Sequence, residues 1–228
     1  MKSNISDKAI VLSRVNYGET DRILTILCSQ HGKLSVIAKG ARAGKSKLAG
    51  GIELFAENDL VLLKSKSDLY IVTSSRMKNY FGNIAKHMDA STYAYECLKT
   101  INKLVPEGSG EEYYEPLLNL LSALDKNEIP LTQLRIWFGL KALNNLGASP
   151  NLTRSSNGKE LPQNAEFEFD FDDHCFFQKA GGTYSPDHIK ILRYLSKAGR
   201  PVEIKLTDTV AADKAERLVT LLLEQHIR

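Results

Sequence analysis

Five basic side chains, Lys33, Lys39, Arg42, Lys45 and Lys47, fall between positions 33 and 47, a stretch without a single Asp or Glu. Cations at this spacing, with Gly40 and Gly44 among them, suit one kind of chemistry: they neutralise the phosphates of a polyanion and release its counterions. Binding of that kind is strong in low salt and weak in high salt. Arg14 and Arg22, just upstream, are secondary candidates for the same backbone. Single-strand binders add aromatic platforms for the bases. Tyr17, Phe55 and Tyr70 are the nearest rings, although aromatics on strands also pack readily into a core.

Other chemistries lack the residues they need. Glu19 and Asp21 are two apart and would share one face of a strand, a start towards a cation site. No third carboxylate is near them, and Gly18 marks Tyr17-Gly18-Glu19-Thr20-Asp21-Arg22 as a tight turn. Asp172-Asp173-His174-Cys175 has metal-binding residue types, but strand neighbours alternate faces, and no CxxC pair completes a tetrahedral site even if His188 joins. None of His31, His87, His174, His188 and His226 sits in the context of a nucleophile's base. Gly40-Ala41-Arg42-Ala43-Gly44-Lys45-Ser46 ends like a nucleotide-binding loop. Its first glycine is one residue too close, and Gly50-Gly51 interrupts the helix that should follow. Cys28 and Cys97 lie in apolar patterns as inert core residues. The residues therefore predict a protein that is not an enzyme and holds no metal or cofactor.

The elements that must position these residues change character along the chain. Ala9–Leu12, Ile23–Cys28, Leu34–Ala38, Leu60–Leu63 and Leu69–Thr73 are short apolar runs bounded by turn residues, with a polar turn at 64–68. Five such runs predict a small barrel of the oligonucleotide/oligosaccharide-binding (OB) type. From Ile84 to Val105 the apolar period becomes helical. A second helix follows around Tyr113-Tyr114 to Leu124, and a third from Leu131 to Leu146, with Pro130 near its start and Gly147 at its end. Phe167-Glu168-Phe169-Asp170-Phe171 alternates as a strand would. Ser185-Pro186 opens a helix that ends near Gly199, and a last helix runs from about Thr209 to Gln225. The fold class is thus α+β: an N-terminal five-stranded OB-type barrel (1–80), a central helical bundle (81–147), and a β insertion with C-terminal helices (148–228).

Charge follows the same division. Residues 1–80 hold thirteen Lys/Arg against seven Asp/Glu, and the remainder seventeen against twenty, so the formal net charge of +3 hides one polyanion-facing part. Three distant cysteines are no disulfide framework and fit a reducing cytoplasm. Met1-Lys2-Ser3-Asn4 leads straight into a strand-like run, which predicts no signal peptide, and no apolar stretch approaches a membrane span.

Tyr17–Arg22 and Gly32-Lys33-Leu34-Ser35-Val36-Ile37-Ala38-Lys39-Gly40-Ala41-Arg42 together resemble the paired N-terminal blocks of the bacterial recombination mediator RecO family. The resemblance covers Ala9 to Tyr80 most closely. It continues through Leu143–Gly147 and Pro150, and in outline through Gly181-Gly182 and the helix after Ser185. It implies an OB barrel, a helical bundle and a small zinc-ribbon-like insertion. It also implies binding of single- and double-stranded DNA and annealing of complementary strands. Work with RecR, contact with the acidic-hydrophobic tail of single-stranded DNA-binding protein (SSB), and loading of RecA on SSB-coated DNA in recombinational repair follow from it too, without catalysis, in a cytoplasmic, nucleoid-associated protein.

Two departures accompany the resemblance. Many family members carry two CxxC pairs around the insertion, but Arg154–Gly158 and Ser185–His188 hold no cysteine here. The zinc ligands are then lost, and Phe167, Phe169, Phe171, Phe176 and Phe177 must supply the packing. Gly139 stands where a third-helix glutamate is usual. For the SSB tail, the resemblance points to that third helix, with Arg135 and Lys141 for its carboxylates and Trp137 for apolar contact, or as a core residue of the bundle. An RNA-binding OB protein and a protein-interaction scaffold are the alternative readings.

Overall fold

The computed structural model describes residues 4–64, 69–201 and 209–227. Contacts divide the chain into two compact units, Met1–Lys126 and Asn127–Arg228.

The first unit is built on five strands: β1 (Asn4–Tyr17), β2 (Asp21–Cys28), β3 (Gly32–Ala38), β4 (Ala56–Lys64) and β5 (Tyr70–Tyr80). β1 pairs antiparallel with both β2 and β4, β2 with β3, and β4 with β5. A short parallel pairing of β3 with β5, Val36 to Tyr70 and Ile37 to Ile71, completes the order β1-β2-β3-β5-β4 and closes the barrel. Alternation explains the arrangement. Ala9 and Val11, Leu24, Ile26 and Cys28, Leu34, Val36 and Ala38, Leu60 and Leu62, and Val72 turn to one side and form a single core. The five apolar runs are the centres of these strands. The strands extend beyond them because pairing also carries a mostly exposed polar segment: Ser74 to Tyr80 of β5 are aligned with Ala56 to Val61 of β4. The polar turn expected at 64–68 lies, for positions 65–68, outside the described residues.

A buried carboxylate that the sequence did not single out ties the barrel's start to the β2–β3 hairpin. Asp7 accepts hydrogen bonds from Ser29 Oγ (2.6 Å), Gln30 N (3.1 Å) and Lys8 N (2.7 Å), and pairs with His31 Nδ1 at 2.7 Å. Burial alone would raise its pKa, but the bonds from Ser29, His31, Gln30 and Lys8 outweigh burial and hold it below the ordinary value. A carboxyl with a lowered folded-state pKa stabilises the fold fully above its unfolded value of about 3.9, and that contribution is lost as pH falls through the folded value. Asp7→Asn is therefore expected to cost about 1.5–3 kcal/mol at neutral pH and to flatten the acid side of the stability profile. Urea unfolding at a series of acidic pH values measures both; an acid limb as steep as the wild type's would count against this role.

Two helices complete the unit, α1 (Met88–Leu104) and α2 (Tyr114–Lys126), both lying against β1. Glu57 of β4, 2% exposed, accepts from Tyr114 Oη of α2 (3.1 Å), Asn79 Nδ2 (2.5 Å) and Lys78 Nζ (3.3 Å). Burial, and then the Glu57 charge, push the Tyr114 hydroxyl up, so it stays a proton donor to that carboxylate. Gly32 opens β3 with φ +63°, and a Cβ there would fall 2.2 Å from the Ser109 carbonyl, so the hairpin sits directly on the segment that follows α1.

The second unit contains α3 (Leu131–Asn145), the hairpin β6 (Phe167–Asp170) and β7 (Cys175–Gln178), α4 (Pro186–Lys197) and α5 (Thr209–Glu224). α3, α4 and α5 pack on one another. The three helices expected to form one central bundle are therefore shared, α1 and α2 in the first unit and α3 in the second. Gly139 explains the approach of α5: a Cβ there would lie 2.3 Å from Val219 Cγ1, so a glutamate has no room. α4 starts as its sequence predicts, with Ser185 as N-cap and Pro186 in the first turn, and His188 takes the reciprocal place of a capping box.

Candidate nucleic-acid interface

The two opening sequence blocks meet in space. Asp21 Oδ1 accepts from Gly40 N at 2.8 Å, and Thr20 O accepts from Arg42 N at 2.8 Å. The β1–β2 turn thus anchors the loop that leaves β3, and Asp21 has a structural task, as the tight-turn reading of this block predicted. Gly18 (φ +56°) and Gly40 (φ +65°) supply the left-handed residues that the two turns require. The loop folds on itself through Ala43 N to Gly40 O (3.1 Å) and Ser46 N to Ala43 O (2.9 Å), and Ser75 Oγ of β5 holds its far end at the Leu48 carbonyl (3.0 Å). Buried Ala41 and Ile52 root it in the barrel core. Only a single 3-10 turn, Ala49–Gly51, follows Gly44-Lys45-Ser46, unlike the long helix of a nucleotide-binding loop.

This frame leaves Lys39, Arg42, Lys45 and Lys47 exposed. Arg42 Nη1 reaches back to the Gly18 carbonyl at 3.4 Å. Lys33 is placed differently: it is half-buried, and its Nζ donates to the Asn102 carbonyl of α1 at 2.8 Å. Arg14 and Arg22 are both paired with Glu53, Arg22 at 3.7 Å and Arg14 through a direct hydrogen bond. Cross-strand register puts these two arginines on the face of the core residue Leu24, at one end of the barrel, because Arg14 stands opposite Leu24 and Arg22 opposite Asn16. Glu53 carries no motif that marks it in the sequence; its one signal is its position as the first acid after the acid-free stretch. Of the three nearest rings, Phe55 is 6% exposed and meets Tyr95 edge-on, Tyr70 packs on the barrel core, and Tyr17 is 56% exposed.

On α3, Trp137 is a core residue at 1% exposure, and its Nε1 donates to the Ala198 carbonyl at 2.9 Å. Lys141 Nζ donates to the Ser196 carbonyl at 2.9 Å, and burial lowers its pKa. Both therefore cap the orphan carbonyls at the end of α4. Arg135 pairs with Glu216 of α5 at 3.4 Å.

The insertion is held by rings and turns. Phe176 packs edge-on with Phe169 (4.9 Å), Phe167 (6.5 Å) and Tyr184 (5.4 Å), and Phe169 with Phe171 (5.1 Å). Where the resemblance would place thiol pairs, Ser155 Oγ bonds Asn157 Oδ1 (2.7 Å) and Lys159 N donates to the same oxygen (3.0 Å), while Ser185 and His188 form the cap of α4. These residues do not fit a zinc ion, and among the described residues no group of three or more His, Cys, Asp or Glu could hold a metal. Asp170 Oδ1 is spent on the backbone of Asp172 and Asp173, and His174 Nδ1 lies 3.1 Å from the Ala148 carbonyl. Burial raises the Cys175 thiol. No helix among the described residues is long and apolar enough to cross a membrane.

Comparison with known proteins bears on the whole chain. The family model described as recombination protein O N terminal matches residues 1–81, and the one described as recombination protein O C terminal matches residues 86–228. The DNA repair protein RecO of Alkaliphilus metalliredigens is 35% identical over 150 residues, which cover 65% of this chain and 61% of that protein. The protein of the same name from Acetivibrio thermocellus is 34% identical over 148 residues, 64% of this chain and 58% of the relative. That of Dehalococcoides mccartyi is 28% identical over 197 residues, 83% of this chain and 77% of the relative. The matches to the first two relatives thus span about three fifths of those proteins.

Proposed function

The chain belongs to the recombination protein O family, and on that premise we propose that it is a DNA-binding mediator of recombinational repair. In this reading it binds single- and double-stranded DNA, anneals complementary strands and, with RecR, helps RecA load on SSB-coated DNA. The work is done by binding alone, without catalysis or cofactor, in the cytoplasm at the nucleoid. The observation that carries the reading is the exposed, acid-free loop of Lys39, Arg42, Lys45 and Lys47 hung on a closed five-stranded barrel. The strand order and the parallel β3–β5 contact support an OB-type barrel. The aromatic hairpin of the second unit takes the part of a zinc-ribbon-like insertion without ligands. By function the chain reads as 1–80 for DNA, 81–147 for the helices and 148–228 for the insertion and C-terminal helices, whereas its contacts part after Lys126.

Phosphate contact falls to the four exposed loop cations. Lys33 supports the scaffold, and Arg14 and Arg22 join once a phosphate displaces Glu53. For the SSB tail, Arg135 is the cation that a tail carboxylate would draw from Glu216, while Trp137 and Lys141 hold α3 in shape behind it.

Annealing of complementary oligonucleotides coated with SSB, followed across a salt series, tests the reading. Faster annealing that fades with salt is expected. No acceleration by the folded protein would remove the mediator role, and equal or tighter binding of RNA strands of the same length would favour an RNA-binding barrel instead.

A further inference from the structure

We propose that Tyr17 is a stacking platform for an unpaired base, so that the basic loop and this ring together form a single-strand subsite; the inference rests on the nucleic-acid reading above. The argument begins with register. Beyond the irregularity between Val11 and Ser13, β1 aligns Ser13 with Thr25, Val15 with Ile23 and Tyr17 with Asp21. Partners across two strands share a face, and this one is opposite to the face of Arg14 and the core residue Leu24. Val15 is 62% exposed and Tyr17 56% exposed, two large apolar side chains two residues apart on the outer surface of the barrel.

Their position gives this apolar surface its meaning. Gly18 and Thr20, immediately after Tyr17, accept hydrogen bonds from Arg42, the first at 3.4 Å from Nη1 and the second at 2.8 Å from the main chain. Asp21, opposite Tyr17, carries the loop through Gly40 N at 2.8 Å. The ring thus stands at the root of the loop that presents Lys39, Arg42, Lys45 and Lys47. A phosphate backbone led along those cations brings its bases past Tyr17. In a duplex the faces of the bases are already stacked. An unpaired base has a free face, and a phenol ring accepts any of the four. The other two nearby rings cannot do this, because Phe55 is buried against Tyr95 and Tyr70 packs on the barrel core. The cations beside it call for a polyanion, and an unpaired strand is the polyanion that offers phosphates to the loop and a free ring face to Tyr17 together.

Tyr17→Ala and Tyr17→Phe in the full chain test the proposal, with binding measured to one labelled DNA strand and to a duplex of equal length. Loss of one base stack predicts about a tenfold weaker single-strand affinity for Tyr17→Ala, and a change of less than about twofold on the duplex. The slope of affinity against salt should stay at the wild-type value, because no phosphate contact is removed. Tyr17→Phe should bind as the wild type does. A 2-aminopurine base in the strand should be quenched by the wild type and by Tyr17→Phe, and not by Tyr17→Ala. Equal losses on both DNA forms, no loss on either, or a shallower salt slope would each overturn the platform. A wild type that binds neither form would instead overturn the nucleic-acid reading on which it rests. The ring is exposed, so an unchanged circular dichroism spectrum and urea midpoint separate lost stacking from lost folding.

Discussion

Alanine at Lys39, Arg42, Lys45 and Lys47 together is expected to weaken DNA binding by on the order of a thousandfold at about 50 mM salt, and to make the salt slope shallower by about 3 for single strands. Both figures follow from counterion release, at about 0.7 ions per phosphate contact on a single strand. The structure explains why all four should count. Each is exposed, and among the described residues none takes part in an ion pair. The loop should keep its shape without these side chains, because its anchors are the main-chain groups of Gly40 and Arg42 and the buried side chains of Ala41 and Ile52. The matched comparison is Arg14→Ala with Arg22→Ala. Glu53 already neutralises part of that charge, so the pair should lower the slope by less than about 1.4, the value for two free cations. Fluorescence anisotropy against salt concentration reads both variants. A quadruple variant whose slope equals that of the wild type would move the DNA-binding surface away from this loop.

Much of this candidate site was legible in the sequence, and the limits have physical causes. The acid-free run of cations and the two glycines are local facts, and local facts survive folding. So do the five apolar runs, because alternation alone decides which side of a strand is buried. What could not be read is which cation is already engaged. Lys33 lies in the same run as Lys39, but it meets the Asn102 carbonyl, 69 positions away in sequence. Arg14 and Arg22 are claimed by Glu53, across the whole length of β3 and the loop. Asp7 and Glu57 are silent in the sequence for the same reason: a lone acid in an apolar strand is informative only once its donors, Ser29 and His31 or Tyr114 and Asn79, are brought to it. On α3 the ambiguity was one of face. A helix buried against two others has apolar residues all round, and Trp137 then looks the same from sequence whether it lines a groove or fills a core.

That ambiguity leads to the second large effect. Trp137→Ala is expected to destabilise the protein by about 3–5 kcal/mol, the cost of emptying a large aromatic site in a core. The indole is 1% exposed, and its Nε1–H is the donor to the Ala198 carbonyl just beyond the last turn of α4. Truncation therefore removes packing and also leaves a main-chain acceptor without that partner. Against a total stability of about 5–15 kcal/mol for a typical domain, such a loss is a large share. Trp137→Phe separates the two contributions: it keeps most of the ring volume and loses the donor, for about 1–3 kcal/mol. Urea unfolding followed by circular dichroism gives the order wild type, Trp137→Phe, Trp137→Ala. The wild type has only this one tryptophan, so its emission should be blue-shifted and protected from acrylamide until the second unit unfolds. A Trp137→Ala variant as stable as the wild type, with binding of the SSB tail lost, would return the residue to a docking groove. A destabilised variant whose remaining folded fraction still binds the tail would leave Arg135, paired with Glu216 of α5, as the contact on α3 in place of its tryptophan.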